Sequence, residues 1–137
     1  PAGPLAYRMD ATWSIEIVHP RTRLLHHGSA GFVAGALETV RVDTVLLGVA
    51  LIDDLPAYLE AVVGNVRPAQ VYALHWDDFT RPLSEPLRPL PFGVDLSAFF
   101  TGARSQYPGI GFHTLPLGEA VALPLSEADT PSVAPDA

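Results

Sequence analysis

The residues best suited to chemistry fall in two short clusters, each at the end of an apolar run. The first is His75-Trp76-Asp77-Asp78, which follows Val71-Tyr72-Ala73-Leu74. A histidine offered from a strand end can ligate a metal, and a nearby carboxylate fixes its tautomer and raises its basicity. Ligands of α/β sheets are commonly met at strand ends, where a rigid backbone carries one polar group into a crevice. His75 is therefore the candidate metal ligand, with Asp77 and Asp78 beside it; the alternative is a histidine that only caps a strand. The second cluster is His26-His27-Gly28-Ser29-Ala30-Gly31. Adjacent strand residues face opposite sides, so at most one of these two histidines can serve a given site. Gly28 directly precedes Ser29, which excludes the Gly-x-Ser-x-Gly nucleophile elbow, and no Gly-Lys-Ser/Thr marks a phosphate loop. A strand-to-helix turn without chemistry is the plainer reading of that cluster. Asp53 and Asp54 precede a helical pattern and read as caps. His113 alternates within a strand, and His19 sits before Pro20 in a turn.

Composition narrows the chemistry. The chain has 137 residues, 48% of them apolar, with mean hydropathy +0.23, which suits one packed domain. A net charge of −7 argues against a nucleic-acid surface, which needs clustered Lys and Arg. With no cysteine, disulfides and thiolate zinc sites are excluded, so any metal is held by His, Asp or Glu. The longest apolar run, from Val45 to Ile52, falls far short of the ~20 residues that span a bilayer. The expected partner is a small-molecule substrate rather than nucleic acid or membrane. No targeting signal is recognisable, and a cytoplasmic location is the default expectation.

The elements that must position these residues follow from periodicity. Trp13, Ile15 and Ile17 alternate with polar residues and predict a half-buried strand. Pro20 turns the chain, and 23–27 returns as the second strand of a hairpin. Three glycines in 28–35 leave room for only a short helical turn near 32–37. Residues 42–50 form a β-branched and leucine-rich strand of the kind covered on both faces. The clearest helix is 55–66, with Leu55, Tyr58, Leu59, Val62, Val63 and Val66 on one face and Pro56 in its first turn. A strand over 71–74, a proline-rich loop over 80–92, a helix over 95–107 and a strand over 110–115 complete the order. The fold class is α/β, layered, with parallel pairing in the middle of the sheet and an antiparallel hairpin at its start.

This pattern resembles the second half of metallo-β-lactamase-fold hydrolases of the ascorbate-6-phosphate-lactonase-like kind. The resemblance covers about residues 11–117 and is carried by the hairpin, the buried strand, and Arg67-Pro68-Ala69-Gln70-Val71-Tyr72-Ala73-Leu74-His75-Trp76. In that family the last strand ends in a metal-binding histidine, so His75 is the implied ligand. The family's His-x-His-x-Asp-His cluster is absent from this sequence, and Gly28-Ser29-Ala30-Gly31 stands where a Gly-Asp-Thr-Gly turn is expected. Ser29 then occupies the place of a bridging aspartate. A hydroxyl is a far weaker ligand than a carboxylate, so one metal ion, or His27 recruited from the neighbouring position, is implied in place of a two-metal centre.

The resemblance implies a four-layer αββα sandwich of which residues 1–123 supply the C-terminal βα half, with 124–137 a disordered tail. The partner it implies is the other, N-terminal half of the same domain. The implied activity is hydrolysis assisted by Zn2+ or Mn2+, where the ion lowers the pKa of bound water from about 15.7 to about 7. Asp77 and Asp78 would lie behind the ligand or face substrate. A non-catalytic binding or regulatory relative with a decayed site is the alternative.

Overall fold

A computed structural model describes residues 13–125. Five strands form one sheet in the order β1-β2-β3-β4-β5, the order of the sequence. β1 (Ser14–His19) and β2 (Thr22–His27) make the antiparallel hairpin. β3 (Thr44–Gly48), β4 (Gln70–Leu74) and β5 (Gly111–Thr114) follow, each parallel to its predecessor from β2 onward. The architecture is mixed α/β with two helices, as the periodicities predict. Of the tail expected over 124–137, residues 126–137 lie outside the described residues, while the Pro124 carbonyl is held by a hydrogen bond.

Helix α1 (Leu55–Leu59) runs straight into a wider π turn, Glu60–Gly64. Asp54 caps its start by accepting from the Ala57 amide at 3.0 Å, with Pro56 in the first turn. Arg67, in the left-handed region at φ 56°, ends it with its amide bonded to the Val63 carbonyl at 2.9 Å. Asp95 caps helix α2 (Leu96–Gln106) through the Ala98 amide at 2.8 Å. Several expectations need correction. The strand read as half-buried from Trp13, Ile15 and Ile17 forms, but it is exposed along its whole length, because no helix among the described residues covers its isoleucine face. The helical turn near 32–37 is a run of separate tight turns, such as Ala36 amide to Val33 carbonyl at 3.2 Å, because Gly35 at φ 80° breaks helical geometry. The helix over 55–66 is not α throughout, since its middle is the π turn.

Both helices pack on the same face. Leu25, Val45, Val71 and Phe112 stand side by side across β2 to β5, and Leu47 and Ala73 form the next row. Tyr58, Leu59, Val62, Val63, Val66, Phe99 and Ala103 close over these rows into one core. The other face carries Ile15, Ile17, Leu24, His26, Leu46 and Tyr72 by strand alternation. It has no helix among the described residues. The segment after β5 returns towards the start of β2, where the Thr22 hydroxyl donates to the Pro124 carbonyl at 2.9 Å. Leu46 is half-buried and Ile15 and Ile17 are exposed, so β3 is not covered equally on its two faces.

The asymmetry is measurable. Leu47→Ala, in the closed core, is expected to cost about 2–5 kcal/mol. Ile17→Ala, on the open side of the edge strand, is expected to stay within about 0.5 kcal/mol. Urea unfolding midpoints of the two variants check this, and equal losses would mean that the Ile17 side of the hairpin is buried too.

Candidate functional site

The C-terminal ends of β2, β3 and β4 lie side by side, and the loops leaving them enclose a cavity of about 390 Å3. Ser29 and Phe32 come from the loop after β2, Leu51 to Asp54 from the loop after β3, and His75 from the end of β4. Tyr58 of α1 forms the back wall. This is the edge at which open α/β sheets present ligands.

Close backbone approach builds the cavity. A β-carbon on Gly48 would lie 2.5 Å from the Gly28 carbonyl group and 2.8 Å from the Ser29 nitrogen. Only glycine at the end of β3 lets the β2 turn cross so near. The Tyr58 hydroxyl ties the crossing, 2.8 Å from the Gly48 carbonyl and 3.2 Å from the Ser29 carbonyl. Burial pushes this phenol's pKa far above its ordinary value of 10.0, so it remains a neutral donor.

His75 sits at φ 54° and Leu51 at φ 58°, both in the left-handed region that favours glycine. Such conformations cost roughly 1–3 kcal/mol each and gather at functional sites. The Leu51 amide is held by the Gly93 carbonyl at 2.8 Å. The His75 imidazole is exposed and makes no hydrogen bond; its ring contact is Phe79, with centroids 6.5 Å apart. Ser29 Oγ accepts a long 3.4 Å bond from the Gly31 amide.

The candidates named from sequence therefore separate. His75 and Ser29 line the same cavity. Asp77 meets His75 only in a smaller hollow of about 220 Å3 on the other side, with Leu83 and Leu87 of the proline-rich loop. That loop folds back along the strand end, with Leu90 amide to Trp76 carbonyl at 2.8 Å and Asp78 amide to Arg88 carbonyl at 2.8 Å. Asp78 is absorbed into the loop, accepting from the Thr80 hydroxyl at 2.6 Å and the Thr80 amide at 3.1 Å. Those bonds, the hydroxyl first, hold its carboxyl below the usual range. His27 lies behind Tyr58, their ring centroids 5.7 Å apart, outside the cavity.

Asp53 was hidden by its neighbour. The two aspartates read alike as caps, but only Asp54 caps, and Asp53 is left exposed on the cavity wall. Its position after a buried strand, at the same edge as His75, was the usable signal. Among the described residues no group of three or more His, Asp or Glu is gathered closely enough to hold a metal ion. No helix among them is long and apolar enough to cross a membrane. Comparison with family models, curated proteins and solved structures finds no match for this chain. Fold and site together define an α/β protein with a strained, partly polar notch at the C-terminal edge of a parallel sheet.

Two measurements follow. Tyr58→Phe leaves the buried Gly48 carbonyl without its donor and is expected to cost about 1–3 kcal/mol in urea unfolding. His27 is buried, and desolvation foremost lowers its pKa below the ordinary 6.5, with His26 adding and the Gly31 carbonyl opposing. The unfolded chain therefore binds the proton more readily. Stability from this group is full above about pH 6.5 and declines as the solution is acidified towards the depressed folded value. Unfolding midpoints across pH 8 to 5 should fall less steeply in His27→Gln, and an unchanged slope would exclude His27 as the source.

Proposed function

We propose that this chain forms one βα half of a metal-dependent hydrolase of the metallo-β-lactamase kind, with His75 as its metal ligand. The observation that carries the reading is the hydrogen-bond-free imidazole of His75, held at the C-terminal sheet edge in the cavity that also contains Ser29. The left-handed backbone at His75 and Leu51 supports a functional edge, since neither residue type relaxes there unaided. The placement of both helices on one face supports a larger sandwich. Sheets with parallel strands are ordinarily covered on both faces, and here both helices lie on one.

The described residues do not by themselves fit a catalytic Zn2+ or Mn2+ site. Such a site takes about three protein ligands, and at this cavity they offer one imidazole, His75, with Asp53 on the same wall. The reading therefore requires ligands from residues other than those described, brought by the other half of the sandwich. The substrate would be a small molecule entering the notch between Ser29, Leu51 and His75. A second reading, a non-catalytic binding or regulatory module, is favoured by Ser29 standing where a bridging carboxylate is implied.

Metal content of the protein in its natural polypeptide decides between them. About one Zn2+ or Mn2+ per chain is expected, lost in His75→Ala and retained in Asp78→Asn. Metal retained in His75→Ala would overturn the ligand assignment, and a folded, metal-free protein would favour the binding module. The 137-residue chain alone is expected to show no hydrolase activity. Metal-dependent turnover by it would remove the need for a second half.

A further inference from the structure

Behind Tyr58, on the helix-bearing side of the β1–β2 hairpin, lies a second hollow of about 470 Å3. We propose that it binds a small neutral molecule made of an apolar ring or chain with one hydroxyl group. The hollow shares only Gly31 and Phe32 with the His75 cavity, so the proposal stands independently of any metal.

Its volume lies within the roughly 300–1,000 Å3 usual for small-molecule sites. Trp13, Phe32, Val33, Leu37 and Ala61 form apolar walls, and among the described residues no charged side chain lines it. An ionised ligand would lose its hydration there without an opposite charge to replace it. Trp13 and Val33 are 78% and 74% exposed, apolar surface that a ligand's hydrocarbon part would cover.

The polar requirement comes from His27, only 6% exposed. Its Nδ1 shares a 2.7 Å hydrogen bond with Ser14 Oγ, while its buried Nε2 has no partner. The Gly31 carbonyl lies near enough to influence the ring yet makes no hydrogen bond with Nε2. Buried polar atoms are rarely left unpaired, and a lining residue that carries one marks where a ligand's polar group belongs. A hydroxyl both donates and accepts, so it satisfies Nε2 in either ring tautomer. A carboxylate could not do so without bringing charge, and a pure hydrocarbon would leave Nε2 unpaired.

The test uses the whole chain carrying Trp76→Phe, which leaves Trp13 as the sole tryptophan reporter. Cyclohexanol is the probe and methylcyclohexane its hydroxyl-free counterpart. A saturable blue shift of Trp13 emission with cyclohexanol is expected, with Kd about millimolar. A change in the His27 Nε2 nitrogen chemical shift should accompany it. His27→Phe should weaken cyclohexanol about tenfold and leave methylcyclohexane unchanged. Ala36→Phe, which fills the hollow from an exposed position and spares His27, should abolish both responses. The proposal fails if cyclohexanol gives no saturable shift, or if Ala36→Phe leaves the shift intact. It fails equally if cyclohexanol binds His27→Phe as well as it binds the parent. Trp13 emission that is already blue and unresponsive would show the hollow filled by another part of the chain or a second copy, and would also overturn it.

Discussion

The Tyr58 hydroxyl reaches two backbone carbonyls, Gly48 at 2.8 Å and Ser29 at 3.2 Å, from within the core. It joins the first turn of α1 to the ends of two parallel strands at their closest approach. Gly48 makes that approach sterically open, and Tyr58 supplies the donor that keeps it from leaving a buried carbonyl unpaired. On one side of the Tyr58 ring is the His75 cavity, and on the other His27 packs at 5.7 Å. The positions of both hollows therefore depend on one phenol that burial keeps neutral.

Strand order has a second consequence. From β2 to β5 the sheet grows in one direction, each new strand beside the last. Parallel crossovers are right-handed, so a sheet growing one way sends its connections to one face. Both helices accordingly lie over Leu25, Val45, Leu47 and Val71, and the opposite face, on which Leu24, Thr44 and Tyr72 are buried but Ile15 and Ile17 exposed, has only the returning C-terminal segment among the described residues. Such a layer has a finished core on one side and an apolar surface of moderate extent on the other. Among the described residues β1 is an edge strand, and within Ser14–His19 it carries Glu16, paired with Arg23, but no Lys or Pro.

Chemistry at the C-terminal edge is limited by donor number rather than by placement. His75 is free and exposed, Ser29 faces the same space, and Asp53 stands on its wall. Asp78 is held by Thr80, and His27 is turned into the second hollow with Ser14. An imidazole without partners can accept a metal bond or a proton. The carboxylates nearest in sequence do not orient it through hydrogen bonds.

Much of the fold was legible along the chain because it rests on local patterns. Alternation at Trp13 to Ile17, the apolar face of Tyr58 to Val66, and the caps at Asp54 and Asp95 each follow from neighbouring residue types. Hairpin, parallel core and both helices stand where those patterns put them. His75 at a strand end was legible for the same reason. What lay beyond reach was set by contacts distant in sequence. Leu51 carries no left-handed signal, because leucine disfavours that conformation and only the Gly93 carbonyl and the surrounding loops hold it there. Asp53 and Asp54 look identical until one finds the Ala57 amide. Asp77 and Asp78 seemed natural companions of His75, yet the proline-rich loop folds back and claims Asp78 for its own turn. Residue type and spacing determined which side chains could do chemistry and at which end of the sheet. Tertiary structure decided which of them share a cavity, because that depends on how closely separate backbones approach, as at Gly48, and on which polar atoms the packing leaves without a partner.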